Sequence, residues 1–283
     1  MVSPLVSGDR RFVWGDRTYV MGILNVTPDS FSDGGEFATI AQAQAQAQAL
    51  IAGGVDVLDL GGQSTRPGAA QISLGEELDR VIPVVQTLRT QGVTLPISVD
   101  TTRSAVAAAA LEAGANWIND ISGGTFEPEI LEVAAQTQAP LVLMHLRGTP
   151  QTMQTLTDYG DLLEEVSRFL LTQARAAEQA GVHRDRIILD PGLGFAKTAA
   201  QNLELLRHLP HLKTLGYPLL VGPSRKSFLG QILQQPEPKE RDWGTAAACC
   251  QAIAGGADVV RVHNGAALVQ VCRVADALWR KQP

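Results

Sequence analysis

Short apolar runs recur along the chain, each ending in a polar residue and each followed by a longer stretch of helical character. The first run, Tyr19 to Leu24, stops at Asn25 and gives way to turn formers and acids as far as Gly34–Gly35. Runs of this length bounded by turn signals predict buried strands. The same reading predicts strands over Val55–Leu60, Pro96–Val99, Ala115–Ile118, Pro140–Met144, Arg186–Leu189, Pro218–Val221 and Asp258–Val260. Helices are expected between them, over Ile40–Ile51, Ser73–Thr90, Ser104–Ala113, Glu127–Gln138, Asp161–Ala180, Ala199–Leu209, Arg241–Ala254 and Ala266–Arg280. The Ala–Gln repeat before Leu50 alternates as a strand would. Ala and Gln favour helix, however, and Gly53–Gly54 supplies a C-terminal stop.

Continuous apolar strands alternating with helices mean a parallel sheet, and eight strand–helix units close naturally into an α/β barrel of the (β/α)8 TIM type. An open doubly wound sheet is the alternative, but no GxGxxG follows the first strand. Residues 1–283 contain no linker-like stretch and are expected to form a single domain. Arg10 to Val20, with Gly15–Asp16 at its centre, predicts an N-terminal β-hairpin capping the barrel floor.

Composition narrows the function classes. Hydrophobic residues make up 45% and charged residues 18% of the chain, enough for a large core. A net charge of −6 argues against a nucleic-acid partner. No apolar run reaches the roughly 18 residues of a membrane span, and the N-terminus lacks a signal-peptide core. A cytoplasmic protein is expected. The three cysteines, Cys249, Cys250 and Cys272, show neither disulfide nor zinc spacing and read as small helical core residues.

Every predicted strand ends in polar residues: Asn25, Asp59, Asp100, Asn119, His145, Asp190, Ser224–Arg225–Lys226, and Arg261 with His263. In a barrel these ends and the loops after them build the site. Taken singly, an Asp or Asn there can cap the next helix or contact a ligand. Together they segregate, acids and an amide on strands two, three, four and six and basic groups on strands seven and eight. That pattern suits a ligand that donates hydrogen bonds at one end and is anionic at the other. A flat amino-heterocycle would meet the carboxylates, and a phosphate or pyrophosphate the basic groups. Asn25 could orient the phosphates directly or through Mg²⁺. Lys226 could be a Schiff-base nucleophile, but the Ser–Arg–Lys run reads better as an anion and ring clamp. His145 is balanced between core packing and ligand contact. His183, His208 and His211 receive no role.

Eight stretches carry a more specific signal: Met21-GILNVTPDSFSDGG, Gly61-GQSTRPGA, Ile97-SVDTTR, Trp117-INDISGG, Leu143-MHLRG, Leu189-DPGLGFAK, Gly222-PSRKSFLG and Arg261-VH. In order and spacing the chain resembles dihydropteroate synthases over nearly its whole length. The resemblance implies a (β/α)8 barrel that joins 6-hydroxymethyl-7,8-dihydropterin pyrophosphate to 4-aminobenzoate. It implies that Asp100, Asn119, Asp190 and Lys226 hold the pterin, and that Asn25, Arg66, Arg261 and His263 hold the pyrophosphate, with Mg²⁺ at Asn25. Phe31, Thr65, Arg66, Pro67, Phe195 and Ser227 would frame the aminobenzoate, and the first loop, with Phe31 and Asp33, would close over the reacting carbon. Asn25, Asp33, Arg66, Lys226, Arg261 and His263 are the expected catalytic set, in a homodimer open to sulfonamides as aminobenzoate mimics.

Two positions depart from the family pattern. Gln63 stands where Glu is usual, so neutral hydrogen bonds are expected to replace a loop-anchoring ion pair. Asn264 stands where Asp commonly follows the Arg–Val–His triplet. A pterin-binding methyl-transfer domain on the same barrel is a competing reading, but it has no need of the two aminobenzoate loops or of the Ser–Arg–Lys clamp. A binding-only relative would be expected to lack part of the site.

Overall fold

The computed structural model describes residues 3–8, 10–26, 36–66 and 68–280. The chain begins with β1 (Leu5–Ser7) and β2 (Arg10–Phe12), followed by β3 (Tyr19–Asn25), α1 (Glu36–Ala52), β4 (Val57–Gly61) and α2 (Leu74–Thr90). Next come β5 (Ile97–Asp100), α3 (Ser104–Glu112), β6 (Trp117–Asp120), α4 (Glu129–Thr137), β7 (Leu141–Met144) and α5 (Leu162–Ala180). The last third holds β8 (Ile187–Asp190), α6 (Ala199–Arg207), α7 (Leu209–Lys213), β9 (Leu220–Val221), α8 (Ser227–Leu233), α9 (Asp242–Ala254), β10 (Val259–Val262) and α10 (Gly265–Trp279).

Among the described residues, β3 to β10 form one eight-stranded sheet ordered β8-β7-β6-β5-β4-β3-β10-β9. Its strands pair in parallel, and a bridge between Leu189 and Leu219 joins β8 to the β9 side. The ring and its surrounding helices are the (β/α)8 barrel expected from the sequence.

The local signals behave as physical chemistry requires. Ser73 caps α2 by accepting from the Glu76 N–H, and Asp161 caps α5 by accepting from that of Glu164. Gly181 ends α5 at φ 106°, a left-handed stop that suits glycine. The Ala–Gln repeat is helical: Ala43, Ala47 and Leu50 are its buried positions, spaced for a helix face rather than for a strand.

Three expectations need correction. The N-terminal hairpin exists, but its turn is at Gly8, with Leu5 paired to Phe12 and Ser7 to Arg10. Gly15, at φ 93°, instead turns the chain from the hairpin into the first barrel strand. The helix expected over 199–209 divides at His208 into α6 and α7, with Pro210 in the first turn of α7, where its missing N–H costs nothing. The short helix α8 was not expected, because seven residues with Gly230 inside them give little periodic signal.

The floor of the barrel is apolar. Leu5 and Phe12 of the hairpin pack with Tyr19, Met21, Val57, Trp117, Val142, Ile188, Leu220 and Val259 from the strands. The Trp117 indole N–H donates to Ser7 Oγ at 2.9 Å, tying the plug to the wall. Cys249, Cys250 and Cys272 are free thiols on α9 and α10, two of them buried, as core residues would be.

Candidate active site

Side chains alternate in direction along a strand, so the residue two beyond a floor residue also points inward, one layer higher. Above Val57, Trp117, Ile188 and Val259 this rule places Asp59, Asn119, Asp190 and Arg261. Asp100 joins that layer from β5. The same strands therefore make an apolar floor and a polar mouth.

Arg261 is the hub of this layer. Its Nε donates to Asp59 Oδ2 at 2.5 Å and its Nη2 to Asp100 Oδ2 at 2.6 Å. Asn119 Nδ2 donates to the same Asp59 oxygen at 3.1 Å, which leaves its own Oδ1 as an acceptor. Asp59 Oδ1 and Asp100 Oδ1 are buried without a partner among the described residues. Burial pushes the Asp100 carboxyl up to about 7, with Arg261 pulling it down and Asp59 adding to the rise. An orphaned buried carboxylate oxygen is costly to keep unless something binds it.

Asp190 closes the opposite side. It accepts the Gly192 N–H at 2.7 Å, and burial raises its carboxyl to about 6 against that bond and the nearby Lys226, Arg261 and Lys197. Lys226 immediately precedes α8, with Nζ 4.0 Å from the centre of the Phe195 ring, a cation–π contact. Burial and Arg261 lower its ammonium to about 8. Gly194, at φ 82°, holds a backbone angle that favours glycine, and a Cβ there would also lie 2.8 Å from Lys226 Cδ. Beneath this loop Lys197 is buried and bonded to His145 Nδ1 at 2.9 Å. Burial, Lys197 and Arg147 push the His145 imidazole down to about 2, so it is neutral.

On β10 and just beyond it, His263 Nδ1 lies 2.8 Å from Ser224 Oγ, and the His263 backbone N–H donates to that oxygen at 3.1 Å. The Ser224 hydroxyl can donate to Nδ1, and in that tautomer the ring proton sits on Nε2. Burial and the cations Arg261, Arg225, Lys226 and Arg66 push His263 down to about 3, so it is a neutral donor.

Loop two, after β4, is anchored from both ends. Gly68 N–H donates to Pro150 O at 3.1 Å, and Gln151 Nε2 to Ala69 O at 2.5 Å. Gln63 Oε1 accepts the Ile72 N–H at 3.3 Å, the neutral contact expected of Gln. The ion pair at this loop comes from elsewhere: Arg103 donates to buried Glu77 at 2.9 Å and to Ile72 O at 2.5 Å. Thr65 is half-buried and lines a small pocket with Gln63, Asp100, Ile121 and Pro150.

A family model described as pterin binding enzyme matches residues 21–263. The dihydropteroate synthase of Synechocystis sp. is 64% identical over 277 residues, covering 98% of this chain and 96% of that one. Among solved structures, Yersinia pestis dihydropteroate synthase with a sulfonamide drug complex matches with a TM-score of 0.90 at 43% identity, covering 98% of this chain and 99% of that chain. Xanthomonas albilineans dihydropteroate synthase in complex with 7,8-dihydropteroate matches at 0.87 and 41%, covering 98% of each. The chain belongs to the dihydropteroate synthase family.

For a dihydropteroate synthase, the described residues gather most of the expected site. Asp100, Asn119, Asp190, Lys226, Arg261 and His263 share the mouth, with Phe195 beneath Lys226. Asn25 is half-buried at the end of β3, and Arg66 and Ser227 are exposed at the rim. Phe31, Asp33 and Pro67 lie outside the described residues.

One part of the clamp is corrected. Arg225, at φ 57°, is turned onto Asp242, donating at 2.7 and 3.0 Å, and it fastens α9 rather than facing an anion. Asn264 donates to the same Asp242 at 2.9 Å, so Asn in place of the usual Asp adds a donor where a second carboxylate would repel. The sequence reading counted Asp59 among the strand-end acids that could meet a heterocycle but gave it no place in the expected site, and it gave Lys197 no role. Only its place on the inward register could have singled out Asp59.

Proposed function

We propose that the chain condenses 6-hydroxymethyl-7,8-dihydropterin pyrophosphate with 4-aminobenzoate, forming 7,8-dihydropteroate and releasing pyrophosphate. Membership of the family carries the reaction. The observation that carries its placement is the unpartnered, buried Asp100 Oδ1 beside Asn119 Oδ1 and the Asp190 carboxylate. These acceptors suit the N–H edge of a pterin. Arg261, itself held by Asp59, holds Asp100 in place, and Lys226 adds a donor across the ring.

In the reaction the methylene C–O bond breaks and its electron pair leaves with the pyrophosphate. The electron-rich dihydropterin spreads the resulting positive charge. The arylamine lone pair then forms the C–N bond, and the nitrogen loses its extra proton to solvent or to the departing anion. An amine attacking a cation needs no strong base. What the protein must supply is charge on the leaving group and shelter for the cation. The remaining Nη1 of Arg261 and the Nε2–H of neutral His263 are donors for that anion, with Arg66 at the rim. Thr65, Arg66, Phe195, Ser227 and the Lys226 stem frame the aminobenzoate, Phe31 and Pro67 join them in this reading, and Asp33 is the negative charge close to the developing cation.

Mg²⁺ belongs to the same reading. Among the described residues no cluster of three His, Cys, Asp or Glu could hold a metal. Asn25 alone would contribute an oxygen, and the rest would come from pyrophosphate and water, as is usual for Mg²⁺. Gly61 keeps the space open, since a Cβ there would sit 3.7 Å from both Asn25 Oδ1 and Asp100 Oδ2. Bound there, Mg²⁺ would neutralise charge on the leaving group. A homodimer is supported by the exposed apolar side chains of Ile232, Leu233 and Trp243 on α8 and α9. No helix among the described residues is long and apolar enough to cross a membrane. A cytoplasmic site of action completes the proposal.

Incubation of the protein with the pterin pyrophosphate, Mg²⁺ and 4-aminobenzoate tests it. Equal amounts of pyrophosphate and dihydropteroate are expected. Release no faster than in buffer refutes the reaction.

A further inference from the structure

Among the described residues, Lys197 is the buried lysine whose place the reaction does not explain. Its side chain is 3% exposed and folds back under its own loop. Nζ lies within hydrogen-bond reach of three acceptors, as many as an ammonium can serve: His145 Nδ1 at 2.9 Å, Gly192 O at 3.0 Å and Phe195 O at 2.9 Å. Two of those acceptors are backbone carbonyls of the segment that carries Phe195. The third stands on the wall at the end of β7. The segment is also pressed against that wall, since a Cβ on Gly192 would lie 2.1 Å from His145 O. His145 is held in turn by the Phe169 ring, 4.9 Å away edge to face.

We propose that Lys197, with His145 as its acceptor, is the positioning residue that fixes Phe195 under Lys226 and thereby sets the affinity for the aminobenzoate. The proposal rests on the reaction assigned above. Lys197 touches no substrate. It acts by pinning the two carbonyls on either side of the turn that presents the Phe195 ring. The low basicity of His145 agrees with this arrangement, because the nitrogen it shows to Lys197 must be an acceptor.

Three variants separate a nitrogen-specific lock from ordinary core packing. Lys197→Met keeps the stem and removes the donors. His145→Asn keeps an acceptor near the place of Nδ1 and loses the ring. His145→Phe keeps the ring on Phe169 and loses the acceptor. Lys197→Met and His145→Phe are expected to raise the KM for aminobenzoate about tenfold or more, while the KM for the pterin pyrophosphate changes less than about threefold. His145→Asn is expected to stay close to the unmodified protein.

Hydrogen exchange of the Gly192, Gly194 and Phe195 amides supplies a readout free of catalysis, and it should accelerate in Lys197→Met and His145→Phe. Unchanged exchange overturns the lock. So does an impaired His145→Asn beside a normal His145→Phe, or an equal rise in both KM values. If Lys197→Met does not fold, the two His145 variants decide. If the unmodified protein releases no pyrophosphate, the reaction falls, and the exchange data still judge the lock alone.

Discussion

Arg261 Nε lies 2.5 Å from Asp59 Oδ2, so the guanidinium expected to serve the pyrophosphate is already bound to a fully buried carboxylate. The pair orients Arg261 and also brings a second negative charge close to Asp100. Asp59→Asn removes that charge while keeping the shape. The acid limit for pterin binding should then move below the about 7 set by Asp100. Calorimetric titration of a simple pterin across the pH range checks this, and an unmoved limit would show that Asp59 does not act on Asp100.

The unmodified protein should itself bind pterin best above neutral pH. Asp100 and Asp190 have carboxyls raised to about 7 and about 6, and protonation replaces an acceptor by a donor on the side that meets pterin N–H groups. Affinity should fall as pH drops through about 7 and again through about 6. Stability of the ligand-free protein should run the other way. Groups whose folded values are raised stabilise the fold fully below the ordinary carboxylate range, and that contribution is lost as pH rises through their folded values. Thermal melts with and without pterin across this window should diverge most at the alkaline end.

Arg261→Ala should do more than remove an anion contact. It leaves Asp59 and Asp100 buried together without their shared cation, at a cost of about 3–5 kcal/mol for breaking such a cluster. Turnover should fall by at least ~10², the melting temperature should drop, and pterin binding at mildly alkaline pH should weaken. A stable variant that binds pterin normally would mean that Arg261 serves only the anion.

Arg103→Ala tests the anchoring of loop two. Its loss leaves buried Glu77 with the Thr101 hydroxyl but no cation and frees Ile72 O, the base from which Thr65 and Arg66 are presented. The aminobenzoate KM should rise by about tenfold with little change in the pterin KM. Steady-state kinetics with each substrate varied in turn makes the comparison.

Trp243→Glu addresses self-association. The indole is 87% exposed on α9, beside Leu233 of α8, whose Cδ1 would lie 2.8 Å from a Cβ at Gly244. Sedimentation should show monomers for the variant and dimers for the unmodified chain. Identical profiles would place any dimer interface elsewhere.

The barrel and most of its mouth were legible because two simple periods coincide in the sequence. Apolar strands of fixed length end in polar residues, and the inward register then carries Asp59, Asn119, Asp190 and Arg261 to one level. Lys197 was not legible, because a lysine reads as solvent-exposed until three acceptors are seen around it. Arg225 was misread because the direction of its side chain depends on a left-handed backbone angle that sequence spacing does not encode. The hairpin turn was placed at the wrong glycine because Gly8 and Gly15 carry the same local signal, and only tertiary pairing chooses between them.

The seam between β3 and β10 joins opposite ends of the chain, Tyr19 beside Val259 and Gly22 beside Val262. It is locked from outside by Thr18, whose N–H and hydroxyl both donate to Asp276 across 258 positions. During synthesis, therefore, the first barrel strand emerges long before its final neighbour exists. It must wait with one edge open until β10 has left the ribosome. Contacts this distant are slow to form and leave a strand edge exposed meanwhile. The N-terminal plug, which needs Val259 as well as Trp117 for its seat, can settle only at the end. The hairpin, made well before β10, is thus among the last elements to find its place.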